Sequence, residues 1–122
     1  METKQAKGEG KMTANEYQRL AMTTRNADMT DRDTLINGVM GLCGESGEVI
    51  DLVKKHLAQG FPLDREHIVK ELGDVMWYIA EIATVMGVTM EEIMEANIEK
   101  LRRRYPDGFS YEKALHRQEG DD

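Results

Sequence analysis

Residues 64–86 read DREHIVKELGDVMWYIAEIATVM, and their spacing decides the fold. Ile68, Val69, Leu72, Val75, Met76, Ile79, Ile82, Ala83 and Met86 recur every three or four positions, the period of a helix with a buried face. Asp64 stands where an N-cap belongs, and Gly87 follows as a stop signal. Apolar and polar residues do not alternate as they would in a strand. Inside this apolar helix lie two acids, Glu71 and Asp74, three residues apart. That spacing puts two carboxylates on one face, a turn apart.

Upstream, a partner helix is predicted from about residue 33 to 58. Leu35, Ile36, Val39, Met40, Leu42, Cys43, Val49, Ile50, Leu52, Val53 and Leu57 give it a wide apolar surface, and Gly60-Phe61-Pro62 ends it. It carries a second acidic pair with the same spacing, Glu45 and Glu48 in Gly44-Glu45-Ser46-Gly47-Glu48. Thr13-Ala14-Asn15-Glu16 is a capping-box pattern that opens an earlier helix, with Tyr17, Leu20 and Ala21 on one face. The polar run from Thr24 to Thr34 reads as a loop.

Downstream, Thr89-Met90-Glu91-Glu92 is a second capping box, starting a helix through about Arg104 that Tyr105-Pro106-Asp107-Gly108 breaks. A short helix from Ser110 to Arg117 is expected after it. The result is an all-α bundle of about four main helices. The long helices are apolar over more than one face, as helices covered by another subunit would be, so a homo-oligomer is expected. The folded domain is expected over residues 12–118. Before it lies a polar, disordered leader (1–11), with Met12 as the candidate natural start; after it lies a flexible tail (119–122).

With 122 residues the chain is one domain on length alone. Its longest apolar run, Val75 to Ala80, is far short of the roughly 20 residues a spanning helix needs. No membrane partner is expected. The start, Met1-Glu2-Thr3-Lys4-Gln5, has no apolar signal-peptide core, so a cytoplasmic location is expected. A net charge of −7 argues against a nucleic-acid polymer as partner, since such a surface must be basic to displace counterions. The single cysteine, Cys43, cannot form an intrachain disulfide and is expected to be packed rather than reactive.

Four glycines, Gly38, Gly41, Gly44 and Gly47, recur inside the second helix. Each costs about 1 kcal/mol relative to Ala there, so each needs a compensating reason. Close approach of a partner helix suits Gly38 and Gly41. Room for a ligand suits Gly44 and Gly47, which flank Glu45.

An isolated Glu-x-x-Glu is ordinarily a solvated helix face. Here the acids interrupt the most apolar part of the chain, and they recur as a matched pair on two helices joined by a short connection. From Glu48 to the helix end is about 15 Å and from Asp64 to Glu71 about 10 Å, a difference the loop around Gly60 can absorb. Glu45, Glu48, Glu71 and Asp74 can therefore face one another, and four like charges so gathered call for a cation. An all-oxygen set without His or Cys selects a hard divalent ion, Mg²⁺, with Mn²⁺ as substitute. Glu-x-x-His motifs of a di-iron bundle are absent. His67, one turn before Glu71, could support that ligand from behind, but an exposed side chain is the expected reading; His56 and His116 carry no case.

Such ions keep coordination positions open for water and phosphate oxygens, which makes phosphate-ester or anhydride hydrolysis the natural chemistry. A cationic complement is available in Lys54 and Lys55 and in the cluster Asn97, Lys100, Arg102, Arg103, Arg104 and Tyr105. The three arginines also complement the helix dipole in a last turn. Trp77, one turn beyond Asp74, could stack on a base, although a lone tryptophan is more often core.

Glu45-x-x-Glu48, a gap of 22 residues, and then Glu71-Leu72-Gly73-Asp74-Val75-Met76-Trp77-Tyr78 resemble the all-α MazG-like nucleoside triphosphate pyrophosphohydrolases. The ending Asn97-Ile98-Glu99-Lys100-Leu101-Arg102-Arg103-Arg104-Tyr105-Pro106-Asp107-Gly108-Phe109 is similar too, and the likeness covers about residues 15–110. It implies a homodimer or homotetramer with a Mg²⁺-dependent reaction. A nucleoside triphosphate would be split between its α and β phosphates into monophosphate and pyrophosphate, in nucleotide-pool control or sanitation. Carried over by position, Glu45, Glu48, Glu71 and Asp74 would hold metal, with Glu45 and Glu48 also catalytic. Lys54, Trp77, Asn97, Lys100, Arg103 and Tyr105 would contact substrate. Many members carry a further Glu directly before the first ligand; Gly44 stands there, which removes one candidate general base. Two other functions fit the same residues: a non-catalytic helical oligomer that binds nucleotide or metal, and a hydrolase of deoxyuridine nucleotides.

Overall fold

The computed structural model describes residues 10–116, which contain helices and no strand. Apart from Gly10 and Lys11, the expected leader lies outside the described residues, as do the expected tail and Arg117. The helices are α1 (Ala14–Ala21), α2 (Asp31–Gln59), α3 (Arg65–Val85), α4 (Met90–Arg104) and α5 (Tyr111–Leu115), with a 3-10 turn at Met22–Thr24. No described helix is long and apolar enough to cross a membrane. Two compact units are present, one up to Met90 and one from Glu91 onward.

Local chemistry explains the boundaries. Thr13, Thr30, Asp64 and Ser110 each accept a hydrogen bond from the backbone N–H three residues on, capping α1, α2, α3 and α5. The cap at Thr30 starts α2 two residues earlier than expected, so the loop before it is shorter. Gly60, at φ +72°, closes α2 in the left-handed conformation that glycine adopts without steric cost.

In the first unit α2 and α3 run antiparallel, and α1 lies against α3. The register is fixed where α2 has no side chain. A Cβ on Gly38 would stand 2.7 Å from Cγ1 of Ile82, and one on Gly41 would overlap the Tyr78 ring. Close approach is therefore the reason for these two glycines, as expected. Ala21, Ala80 and Met90 form the buried centre, with Ala14, Tyr17, Met22, Trp77 and Ile79 packed around it. Gln18 ties α1 to the end of α3: its Nε2 donates to Thr84 Oγ1 and to the Val88 carbonyl, both at 3.0 Å, while its Oε1 accepts from the Met90 N–H at 2.8 Å.

One acid is wholly enclosed in this unit. Glu81 is 2% exposed, and its Oε1 accepts from Asn37 Nδ2 at 2.9 Å. Thr34, equally buried, has no partner for its hydroxyl among the described residues. The apolar surface of α2, by contrast, is largely uncovered: Ile36, Val39, Met40, Ile50, Val53 and Leu57 are all exposed. Cys43 is exposed as well, against the expectation that it would be packed, because α1 and α3 cover only part of α2.

Candidate metal centre and active site

The α2–α3 register that Gly41 and Tyr78 set also brings Glu45 level with Glu71 and Asp74. One carboxylate oxygen from each of the three lies within 4.8 Å of the others. Glu48 stays outside this trio and is exposed. It stands one turn further along α2, close enough for its charge to act on Glu45. Of the four expected ligands, three are gathered within the chain and the fourth is a neighbour.

Electrostatics within the trio are those of crowded like charges. The Glu45 carboxyl titrates above its ordinary range, chiefly because it hydrogen-bonds to the Glu71 carboxyl. Partial desolvation and the charges of Asp74, Glu71 and Glu48 add to the shift. Gly44, Gly47 and Gly73, beside these acids, each face open space where a Cβ would stand. Packing within the chain therefore gives no reason for glycine there. Adjoining the acids is a cavity of about 350 Å³ lined by Glu45, Asp74, Trp77 and Tyr78.

The walls of that cavity are held from behind. Trp77 Nε1 donates to the Ala21 carbonyl at 3.0 Å and to Thr24 Oγ1 at 2.9 Å, so its N–H is already engaged and the ring offers its face alone. Trp77 packs against the core and also lines the cavity, so the core reading and the binding reading both describe it. The Trp77 and Tyr78 rings meet edge to face at 5.1 Å.

Two further residues reach the trio, and Tyr17 was not expected there. The Tyr17 hydroxyl donates to the Gly73 carbonyl at 3.4 Å, and burial, with the nearby Asp74 charge, raises its pKa. Nothing in the α1 sequence signals this approach. His67 is exposed, as expected, and its Nε2 also stands 3.2 Å from Glu71 Oε1, the partner weighed as the alternative. Its i,i+4 spacing from Glu71 was the available signal.

The expected cationic residues divide between the two units. Lys55 pairs with Asp51 at 2.8 Å. Lys54 lines a different cavity, an apolar groove of about 500 Å³ with Val49, Ile50, Val53, Leu57 and Ala58. Asn97, Lys100 and Arg103 lie on α4 in the second unit, where Arg103 stands 3.9 Å from Glu99. Tyr105, just beyond that helix, packs against Phe109 at 5.5 Å.

A family model, the MazG nucleotide pyrophosphohydrolase domain, matches residues 34–109 and so takes in all three gathered carboxylates. The chain belongs to the MazG family. Two curated relatives carry names that state no activity. Over 69 residues, 53% of this chain and 60% of the relative, it is 39% identical to the Gene 37 protein of Mycobacterium phage L5. Over 41 residues, 34% of this chain and 39% of the relative, it is 39% identical to the uncharacterized protein YvdC of Bacillus subtilis strain 168. The chain thus spans less than two thirds of either curated relative. No solved structure matches it.

Proposed function

We propose that this MazG-family chain is a Mg²⁺-dependent nucleoside triphosphate pyrophosphohydrolase, converting an NTP or dNTP to the monophosphate and pyrophosphate. The observation that carries the reading is the convergence of Glu45, Glu71 and Asp74 from two helices. Three carboxylate oxygens of like charge, crowded enough to raise the Glu45 pKa, suit a hard divalent cation. Mn²⁺ would substitute for it. Once bound, such an ion supplies Lewis acidity toward phosphate oxygens and lowers the pKa of a coordinated water.

The residues of the chain do the rest. Glu45, Glu71 and Asp74 would hold the ion. Glu48, exposed beside the trio, is the carboxylate left to orient the attacking water and take its proton, the task that Gly44 cannot serve. The faces of Trp77 and Tyr78 wall a space in which a nucleoside can lie against aromatic rings. Lys54, Asn97, Lys100, Arg103 and Tyr105 are proposed as contacts to phosphate, sugar or base, and a homodimer or homotetramer as the working form. A cytoplasmic role in nucleotide-pool control or sanitation follows from this reading.

The test is incubation of the pure protein with a panel of NTPs and dNTPs and Mg²⁺, with monophosphate and pyrophosphate resolved chromatographically. Turnover of at least one nucleotide is expected, lost in Asp74→Asn and reduced by at least about 100-fold in Glu48→Ala. Nucleotide retained without conversion would instead identify a binding protein.

A further inference from the structure

The ion pairs Arg32–Asp33, Asp51–Lys55 and Glu99–Arg103 join partners that are both well exposed. Pairs of that kind contribute little to stability. His67–Glu71 differs. The Glu71 side chain is 16% exposed, and its carboxyl also hydrogen-bonds to Glu45 inside the acidic trio. His67 is half exposed and approaches from outside, with Nε2 3.2 Å from Glu71 Oε1.

We propose that His67 is a positioning residue for the metal centre. An ionised carboxylate only accepts hydrogen bonds, so the imidazole must present Nε2–H to Glu71. The imidazole is itself well placed, since the His67 backbone N–H is fixed to the N-cap oxygen of Asp64 at 3.1 Å. A one-turn step along α3 then sets the ring against Glu71. A small divalent ion that takes one oxygen of a carboxylate leaves the other free, and a hydrogen bond to that second oxygen orients the ligand and limits its rotation. His67 thus holds Glu71 facing Glu45 and Asp74 before the ion arrives. The role needs a donor at that point and no change in its charge.

This inference rests on the metal reading above but not on the identity of the substrate. The test measures free Mn²⁺ by electron paramagnetic resonance during titration of the whole chain, for wild type, His67→Ala and His67→Gln. Thermal melting of each metal-free protein is recorded alongside. His67→Ala is expected to bind Mn²⁺ about 10-fold more weakly. His67→Gln, which keeps an N–H donor at similar reach, is expected to recover most of that loss, and the three metal-free melting temperatures to agree. The proposal is overturned if the wild type takes up no Mn²⁺, if His67→Ala binds like wild type, or if His67→Gln is as weak as His67→Ala. The last result would mark imidazole as a metal ligand. Mn²⁺ binding with the expected His67 effect but no nucleotide turnover would remove the pyrophosphohydrolase reading and leave the role of His67 standing.

Discussion

Glu45 concentrates the conflict on which the site is built. Its carboxyl hydrogen-bonds to Glu71 and lies among the charges of Asp74, Glu71 and Glu48, so in the folded chain it keeps its proton above the ordinary value of 4.5. A carboxyl whose pKa is raised by folding stabilises the fold most fully below the unfolded-state value. That contribution is lost as pH rises through the raised folded-state value. The metal-free protein is therefore expected to lose urea stability across that window, with Glu45→Gln showing a smaller loss. Saturating Mg²⁺ should diminish the decline, because the ion takes the place of the proton. Denaturation midpoints from about pH 4 to pH 7, with and without Mg²⁺, read this directly. An identical decline in Glu45→Gln would mean that other carboxyls are responsible. The sequence made these acids legible by their spacing. It did not reveal which of the four would meet, because both pairs have the same spacing and only the packing of α2 on α3 tells them apart. It offered the His67 contact only as an alternative, since i,i+4 spacing looks the same whether Glu71 faces solvent or a site.

Between elements, the α2–α3 register decides whether those acids meet at all, and glycine sets it. At Gly41 an added methyl group would overlap the Tyr78 ring, and at Gly47 it would meet open space. The same substitution should therefore act in opposite directions. Gly41→Ala is expected to cost about 1–3 kcal/mol by forcing the ring or the helices apart. Gly47→Ala should stabilise the metal-free protein by up to about 1 kcal/mol, through the ordinary gain of Ala over Gly in a helix. If that space serves a ligand, Gly47→Ala will lose activity while gaining stability, and chemical denaturation with a turnover assay separates the two effects. Destabilisation by Gly47→Ala would show that the position is packed after all. Helix ends were readable because Thr13, Asp64, Gly60 and Gly87 announce them locally. The start of α2 was read two residues late, since Asp31-Arg32 continues the polar composition of the loop and only the Thr30 side chain marks the boundary. The exposure of Cys43 was illegible for a different reason: an apolar helix does not state which of its faces its own chain will cover.

For the whole molecule, the amount of uncovered apolar surface is the strongest physical constraint. Leu57 is 77% exposed, Met40 68% and Ile50 66%, all on α2, and Val69, Leu72 and Met76 of α3 are exposed too. Contiguous apolar surface of this kind is uncommon on a monomer and marks an interaction site. On α2 it includes the groove formed by Val49, Ile50, Val53, Leu57 and Ala58, and no described helix of the first unit fills it. A second copy is the natural occupant, because a homo-oligomer places the same apolar helices opposite one another without requiring a different partner. Light scattering coupled to size exclusion is expected to give a mass of at least twice the 13.9 kDa chain. Leu57→Glu or Ile50→Glu places a charge in the proposed contact and should shift that mass toward the monomer with α-helical circular dichroism retained. A loss of turnover in these variants that follows the mass distribution, and recovers at high protein concentration, would show that the site works only within the assembly. A wild-type chain that stays monomeric at high micromolar concentration would require another cover for α2, and the bare helix would then be a surface for a different protein.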